Sequence, residues 1–200
     1  MSLRSYFGES IRVLESASQA WAEDVAGEAL KTMSDALGGG KPLLVCGNGG
    51  SAADAMHITG ELVGRFLIDR QALNVICLAA NPIVLTAWAN DCSFETVFSR
   101  QVEAYGQPGA VLIGISTSGN SPNVLAAFER ARSMGMKTIA LTGEGGGRLA
   151  AVSDYLFAVP SRSTPLIQQA HICIYHYFCQ AIERELAGRN LPEPVAVPGR

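Results

Sequence analysis

Two glycine- and serine-rich segments have the residue types that bind a phosphate group. Residues 47–51 read Gly-Asn-Gly-Gly-Ser, and residues 116–121 read Ser-Thr-Ser-Gly-Asn-Ser. Glycine allows a backbone to approach an anion closely, and a helix predicted directly after each segment would turn free N–H groups toward it. Serine and asparagine are also good helix caps, so one such segment alone indicates a capped helix start, whereas two in one sheet favour a phosphate site. Hydroxyl donors for a phosphate would come from Ser116, Thr117, Ser118 and Ser121.

Two nucleotide-binding signatures are absent from the sequence. No G-x-x-x-x-G-K-[ST] segment is present, and no G-x-G-x-x-G segment has a strand-end acid about twenty residues later. A serine-rich cradle without lysine suits the phosphate of a small molecule better than a magnesium-bound triphosphate.

A second constellation has the donors of a divalent-metal site or of an acid–base pair. His57 and Glu61 are four residues apart and lie on one face of a predicted helix. Gln168, His171 and His176 occupy a later, largely apolar helix, where polar groups need partners. Imidazoles and a carboxylate suit zinc, or an acid–base pair without metal. A histidine in an apolar helix is also often a core residue, and spacing alone leaves open which histidine faces a site.

Alternating strands and helices must position these residues. Continuous apolar strands separated by helices predict an α/β fold with a five-stranded parallel sheet flanked by helices. We expect one domain spanning 1–200, with an N-terminal helical hairpin (1–40), an α/β core (41–187) and a loose C-terminal tail (188–200). The predicted strands are 43–46, 74–78, 111–115, 138–141 and 155–159, and the predicted helices of the core are 51–64, 82–104, 121–134, 147–152 and 166–186.

Composition excludes several classes of protein. With 48% apolar and 16% charged residues, the chain is not intrinsically disordered. A formal net charge of −3 argues against non-specific nucleic-acid binding. No apolar run approaches the ~20 residues of a membrane span, and no secretory signal is visible. Five cysteines without C-x-x-C spacing indicate reduced thiols and a cytoplasmic location.

The predicted N-terminal hairpin has apolar stripes that need a packing partner. Leu3, Phe7, Ile11 and Leu14 recur at spacings of three or four. Such a stripe either covers the sheet or packs against another subunit, so it raises the expectation of a homo-oligomer.

Long motifs in a fixed order identify the family that the sequence resembles. They run from the N-terminal hairpin to about residue 187 and resemble the phosphoheptose isomerases of the sugar-isomerase (SIS) domain family. The segments that carry the resemblance are residues 46–51, 54–57, 61–65, 90–91, 98–104, 114–121 and 141–143, with Ile167, Gln168, His171 and His176.

The resemblance implies an SIS fold and the interconversion of sedoheptulose 7-phosphate and D-glycero-D-manno-heptose 7-phosphate through an enediol. This is the first step toward nucleotide-activated heptoses for lipopolysaccharide or other surface glycans. It implies a cytoplasmic homotetramer with active sites between subunits and one zinc ion per subunit. By the same resemblance, Glu61 and His176 are the catalytic base and acid, and the zinc ligands are His57, Glu61, Gln168 and His176. The remaining substrate and phosphate positions are Asn48, Gly49, Gly50, Ser51, Arg65, Asp91 and the 116–121 segment, with Gln168.

Two positions depart from the family's pattern, and other functions stay open. Leu166 stands where the family often has a basic residue, and Gln169 where it often has glutamate. Both changes bear on contacts with the substrate and leave every catalytic position in place.

The alternative functions are a tetrameric adaptor of the replication-initiator-associating type, an isomerase for another phosphosugar, and a phosphosugar sensor without turnover. An adaptor would not need the full metal and acid–base set.

Overall fold

Five strands form one parallel sheet at the centre of the fold. The structure is a computed structural model that describes residues 2–187. The predicted loose tail, residues 188–200, lies outside the described residues. The strands are β1 (Leu43–Gly47), β2 (Val75–Cys77), β3 (Val111–Ser116), β4 (Lys137–Thr142) and β5 (Tyr155–Ala158). The helices are α1 (Leu3–Ser18), α2 (Glu23–Gly38), α3 (Gly50–Val63), α4 (Pro82–Asp91), α5 (Val97–Tyr105), α6 (Pro122–Ser133) and α7 (Thr164–Ala187), with short 3-10 helices at Phe94–Thr96 and Gly147–Ala151.

The strand order β2-β1-β3-β4-β5 brings the two glycine–serine segments together. The chain leaves β1 toward β2 on one side and later returns to β3 on the other, so the order reverses between β1 and β3. Ligands of open α/β sheets bind at the carboxyl ends of strands beside such a reversal. The pairing of Gly47 with Ile115 places the two segments, 47–51 and 116–121, at this edge.

Helices cover both faces of the sheet, as the uninterrupted apolar strands require. All residues of β1 and β3 are buried. One face packs against α2, α3 and α7 through residues such as Met33, Ile58 and Tyr175. The opposite face packs against α5 and α6 through Phe98 and Phe128. The parallel α/β architecture with its N-terminal helices is confirmed.

The predicted single helix over 82–104 is wrong. The chain leaves α4 at Cys92, and the hydroxyl of Ser93 accepts from the N–H of Glu95 at 3.0 Å to begin a 3-10 turn. Helix α5 then starts at Val97. The apolar periodicity continued across this local cap, which competes with helical hydrogen bonding. No described helix has the length and apolar character needed to cross a membrane.

Candidate functional site

The loops after β1 and β3 are joined by a reciprocal pair of side-chain amides. Asn48 donates from Nδ2 to Oδ1 of Asn123 at 2.9 Å, and Asn123 donates back to Asn48 at the same distance. Asn123 lies in the first turn of α6 and is buried. The pair fixes the two predicted phosphate-binding loops relative to each other. Sequence reasoning missed Asn123, although it follows the Ser121-Pro122 helix start directly.

Neither helix that begins at these loops has a side-chain cap in the described structure. The N-cap residue of α3 is Gly49, which has a φ of 57° and no side chain that could accept from a helix N–H. The N-cap residue of α6 is Ser121, whose side chain makes no capping hydrogen bond. The Ser121 hydroxyl instead lies 2.9 Å from the hydroxyl of Ser116. An uncapped helix N-terminus leaves the serine hydroxyls and any undonated first-turn N–H free for an anion, although the N–H groups of Ser51 and Val124 already donate to the carbonyl oxygens of Asn48 and Ser121. This geometry favours the phosphate-cradle interpretation over that of a capped helix start.

The 116–121 loop is held against its neighbour by close backbone contact. Gly119 has a φ of 65°, and a Cβ there would lie 2.0 Å from the carbonyl oxygen of Gly146. The carbonyl oxygen of Thr117 accepts from the N–H of Gly143 at 3.0 Å. The side chain of Asn120 accepts from the N–H of Arg148 at 3.0 Å. The 116–121 loop, which with residues 47–51 forms the predicted phosphate cradle, is therefore preorganised without a ligand.

The second predicted constellation brings α3 and α7 together. Nε2 of His57 lies 2.9 Å from Oε1 of Glu61, which confirms that both side chains share one face of α3. The ring of His176 on α7 lies with its centroid 5.1 Å from that of His57. One ligand atom from each of these three side chains lies within 4.8 Å of the others. We call His57, Glu61 and His176 the α3–α7 cluster.

The α3–α7 cluster fits a divalent metal ion by its donors and by an unused nitrogen. Two imidazoles and a carboxylate are donors that zinc prefers. Nε2 of His176 is buried and has no hydrogen-bond partner among the described residues, which is unusual for a buried polar atom. Burial, and then the charge of nearby His57, lower the pKa of His176 against the opposing effect of Glu61. Glu61 and His57 remain partly exposed, so a ligand can reach them.

Two residues not assigned a role from the sequence stand behind this cluster. The hydroxyl of Tyr175 lies 2.9 Å from Nδ1 of His57, and Tyr175 is buried. Asp54, also buried, interacts with the same hydroxyl. Burial raises the pKa of Asp54, although the charge of His57 and the Tyr175 hydroxyl partly counter this effect. The spacing of Asp54 three residues before His57 was the available sequence signal.

Gln168 lies in the first two turns of α7, beside the predicted phosphate-binding segment 47–51. A Cβ on Gly50 would come within 2.3 Å of the Gln168 side-chain nitrogen, so the amide packs against the first residue of α3. His176 is eight residues further along α7, about 12 Å of helical rise. A role for Gln168 as a metal ligand stays a prediction, and its contact with Gly50 also suits a substrate-binding role.

Other residues singled out in the sequence have separate positions. Arg65 and Asp91 are exposed, and Asp91 accepts from the neighbouring Asn90 side chain at 2.8 Å. His171 is fully buried with Nε2 3.0 Å from the carbonyl oxygen of Thr142, and burial lowers the pKa of His171 to about 4. This position agrees with a core role for His171.

The two residues that depart from the family's pattern have structural contacts elsewhere in the chain. Leu166 is 2% exposed and so belongs to the core. Gln169 donates from Nε2 to the hydroxyl of Tyr6 at 3.3 Å, which ties α7 to α1. Both side chains have structural contacts within this chain.

A buried ion pair holds the segment after α3. The carboxylate of Glu183 accepts three backbone N–H groups, those of Phe66, Leu67 and Ile68, at 2.7–3.1 Å. Its Oε1 also lies 3.0 Å from Nε of Arg70. We call Arg70 and Glu183 the α7 lock. The lock places the ring of Phe66 5.3 Å from that of His176.

Comparison with known proteins gives one consistent family. A family model described as the SIS domain matches residues 5–143. A phosphoheptose isomerase from Akkermansia muciniphila is 48% identical over 161 residues, which cover 80% of this chain and 85% of that protein. One from Desulfovibrio desulfuricans is 57% identical over 152 residues, or 76% of this chain and 72% of that protein. The solved structure of phosphoheptose isomerase GmhA from Neisseria gonorrhoeae is 40% identical with a TM-score of 0.85, and the match covers 91% of this chain and 97% of that one.

Proposed function

The chain belongs to the phosphoheptose isomerase family of SIS-domain proteins, and from this membership we propose that it interconverts sedoheptulose 7-phosphate and D-glycero-D-manno-heptose 7-phosphate. The relatives supply the substrate class, and the site supplies independent chemical support. Two uncapped helix starts meet at the sheet edge, and a carboxylate–imidazole cluster lies along α3 and α7.

The separation of these two sites is the observation that carries the proposal. Gly50 begins α3 beside the cradle, and His57 is seven residues further along the same helix, about 10 Å away. A substrate held by its phosphate would therefore present atoms remote from the phosphate to the α3–α7 cluster. In a heptose 7-phosphate, C1 and C2 are at the end of the carbon chain opposite the phosphate.

Glu61 and His176 have the chemical groups that an aldose–ketose isomerisation requires. Starting from the ketose, the Glu61 carboxylate removes a proton from C1 while His176 donates a proton to O2, which gives the enediol. Glu61 then returns its proton to C2, and His176 takes the proton from O1, which leaves the aldehyde at C1. Substrate and product are isomers, so both side chains end in their starting protonation states. The cradle contributes by holding the reacting carbons beside Glu61.

We also propose one zinc ion per subunit, held by His57, Glu61 and His176, with Gln168 as the predicted fourth ligand. A divalent ion at this site would supply Lewis-acid stabilisation of the charge that develops on the substrate oxygens. A His176 nitrogen bound to the ion could not also carry the donated proton, so the ion would act in place of that proton. The unpartnered Nε2 of His176 and the mutual proximity of the donors support this proposal. Elemental analysis should find about one zinc ion per chain in the wild-type protein and less in His57→Ala. Equal and negligible metal contents would remove zinc from the proposal.

A homotetramer with active sites between subunits is the proposed assembly. Helix α1 exposes an apolar stripe: Leu3, Phe7 and Ile11 are 74%, 60% and 52% exposed. A stripe of this kind on a monomer indicates a surface that packs against a partner. Arg65 and Asp91 are exposed, so they are available to a site completed by a neighbouring subunit. Light scattering at micromolar concentration would give the mass of the assembly, and a monomer would contradict the proposal.

The proposed physiological setting is the bacterial cytoplasm, where the product would enter nucleotide-heptose synthesis for lipopolysaccharide or another surface glycan. All five cysteines are free thiols, which suits a reducing compartment. The substrate is a sugar phosphate, and such metabolites belong to intracellular metabolism.

A turnover assay on sedoheptulose 7-phosphate tests the proposed reaction directly. The purified protein should form the aldose, and a chelator should abolish the reaction until zinc is restored. Other ketose phosphates should be poorer substrates, because their carbon chains place C1 and C2 at a different distance from the cradle. Lack of turnover with zinc supplied, together with tight binding of a replication-initiator protein, would favour the adaptor alternative.

A further inference from the structure

The buried hydroxyl of Tyr175 lies directly behind the α3–α7 cluster. It is 2.9 Å from Nδ1 of His57, while Nε2 of the same ring is 2.9 Å from Oε1 of Glu61. The two nitrogens of His57 therefore face different neighbours. Nε2 faces Glu61 within the cluster, and Nδ1 faces Tyr175, the residue of α7 directly before His176.

The direction of the hydrogen bond between Tyr175 and His57 decides which nitrogen of His57 can bind a metal. A neutral imidazole carries one proton, so a proton on Nδ1 leaves the lone pair of Nε2 free. A proton on Nε2 would block the nitrogen that faces Glu61. The partner of Nδ1 therefore controls whether His57 can act as a ligand through Nε2.

Without a metal, the Glu61 carboxylate draws the proton of His57 to Nε2. When Nε2 binds a metal ion instead, Asp54 supplies the asymmetry that selects the direction of the Tyr175 hydrogen bond. Its carboxyl group is buried near the Tyr175 hydroxyl, and its Oδ2 has no hydrogen-bond partner among the described residues, so this oxygen can accept one. A hydroxyl has a single proton to donate, and a buried carboxylate needs a hydrogen-bond donor. If Tyr175 donates to Asp54, its oxygen is left to accept from Nδ1–H of His57.

We propose that Asp54 and Tyr175 form a positioning relay that fixes the tautomer and ring orientation of His57, so that Nε2 is presented to the metal. The order of hydrogen bonds is His57 Nδ1–H to Tyr175 oxygen, and Tyr175 O–H to the Asp54 carboxylate. Neither Tyr175 nor Asp54 touches the substrate in this arrangement. The relay rests on the proposed zinc site and adds to it two residues that determine its affinity.

Zinc affinity, measured by competition with a chromophoric chelator, tests the relay without relying on turnover. Tyr175→Phe keeps the ring and removes only the hydroxyl, and we expect its zinc dissociation constant to rise about 10- to 100-fold, as for other outer-shell partners. Tyr177→Phe is the matched control, because Tyr177 is on the same helix and is 48% exposed. Its zinc affinity should equal that of the wild-type protein.

Asp54→Asn tests the relay at its other end. It should weaken zinc binding in the same direction, and the double variant should bind no more weakly than the worse single variant, since both residues act through one hydrogen-bonded chain. Cobalt substitution adds a spectroscopic readout: the ligand-field bands of Tyr175→Phe should shift, and those of Tyr177→Phe should not. Wild-type zinc affinity and an unchanged cobalt spectrum in Tyr175→Phe would overturn the relay. Failure of the wild-type protein itself to bind zinc would overturn the zinc proposal, which keeps the two failures distinct.

Discussion

Helix α7 carries two polar clusters that differ in how completely their carboxylates are hydrogen-bonded and in their access to solvent. Among the described residues, Nε of Arg70 lacks a well-aligned hydrogen bond, as Nε2 of His176 does, so the difference lies in the carboxylates and in exposure. In the α7 lock, the Glu183 side chain is fully buried, and its carboxylate accepts three backbone N–H groups and pairs with Arg70. In the α3–α7 cluster, two turns earlier, Nε2 of His176 has no partner among the described residues. His57 and Glu61 are partly open to solvent.

This difference separates a structural role from a chemical one. A buried carboxylate whose acceptor sites are all used holds the chain in place and has no capacity left for a ligand. A cluster with an unused nitrogen and exposed oxygens can still bind an ion or exchange a proton. The two clusters are also connected, because the Arg70 guanidinium donates to the carbonyl oxygens of Glu61 and Leu62 at 2.9 and 2.8 Å. The lock thus fixes the backbone of the proposed base.

The largest expected effect is on turnover, and it comes from Glu61→Gln. The amide cannot remove a carbon-bound proton, so kcat should fall about 10³-fold, within the range for loss of a general base. The free energy of unfolding should change by less than about 1 kcal/mol, because Glu61 is partly exposed. Steady-state kinetics and urea unfolding measure the two quantities. Glu129→Gln, on the exposed face of α6, is the matched control, and full activity in Glu61→Gln would contradict the base assignment.

The second-largest expected effect is on stability, with only a small effect on turnover. Glu183→Gln leaves the Arg70 charge buried without a counter-charge, so unfolding should become easier by about 3 kcal/mol or more. Any loss of kcat should be far smaller than that of Glu61→Gln, since no reacting group is removed. Glu103→Gln is the control, because Glu103 forms exposed ion pairs with Arg100 and Arg130 and should cost less than about 1 kcal/mol. Equal stabilities of Glu183→Gln and Glu103→Gln would show that the lock is not structural.

The stability supplied by Glu183 should also depend on pH in a defined direction. Burial alone would raise the pKa of Glu183, but the backbone N–H groups of Leu67, Phe66 and Ile68 and the Arg70 charge outweigh it and hold the pKa below its ordinary value. The unfolded chain therefore takes up the proton first as the pH falls. The stabilisation is fully present above the ordinary glutamate pKa and is lost as the pH falls through the folded-state value.

Urea unfolding of the wild-type protein and Glu183→Gln across pH 3–7 isolates this contribution. The difference in unfolding free energy should be largest near neutrality and should shrink below about pH 4. Subtracting the variant cancels other acidic groups that titrate in the same range, such as Asp154. A difference that stays constant with pH would contradict the role of the ionised carboxylate.

The sequence predicted those parts of the site that depend on local spacing. The two strand-end loops were found from glycine and serine content, and the His57–Glu61 pair from its four-residue spacing on a helix. The parallel sheet followed from uninterrupted apolar strands. Each of these features is set by residues close together in the chain.

The parts that the sequence did not predict depend on how α3 and α7 pack. Tyr175 contacts His57 across more than a hundred residues, and Arg70 meets Glu183 across a similar separation. Apolar periodicity does not define the rotation of a helix that is apolar on most sides, as α7 is. For the same reason, spacing could not choose between His171 and His176, and only the family resemblance favoured His176.

The smallest expected effect tests whether the lock reaches the reactive cluster through Phe66. The N–H of Phe66 donates to Glu183, and its ring packs beside His176, with a tilt of 32° between the two planes. Phe66→Leu keeps the backbone hydrogen bond and removes the aromatic contact, so the imidazole should be held less firmly. We expect kcat to fall about 3- to 10-fold, equivalent to about 0.7–1.4 kcal/mol.

The KM for the sugar phosphate should change little in Phe66→Leu, because the cradle is at the other end of α3. Leu67→Ala is the matched control: its N–H also donates to Glu183, but its side chain is exposed. Wild-type kcat in Phe66→Leu would mean that the lock supports the reactive cluster through the backbone of Glu61 and Leu62 alone. A fall in kcat confined to Phe66→Leu would show instead that the Phe66 ring transmits the rigidity of the α7 lock to the α3–α7 cluster.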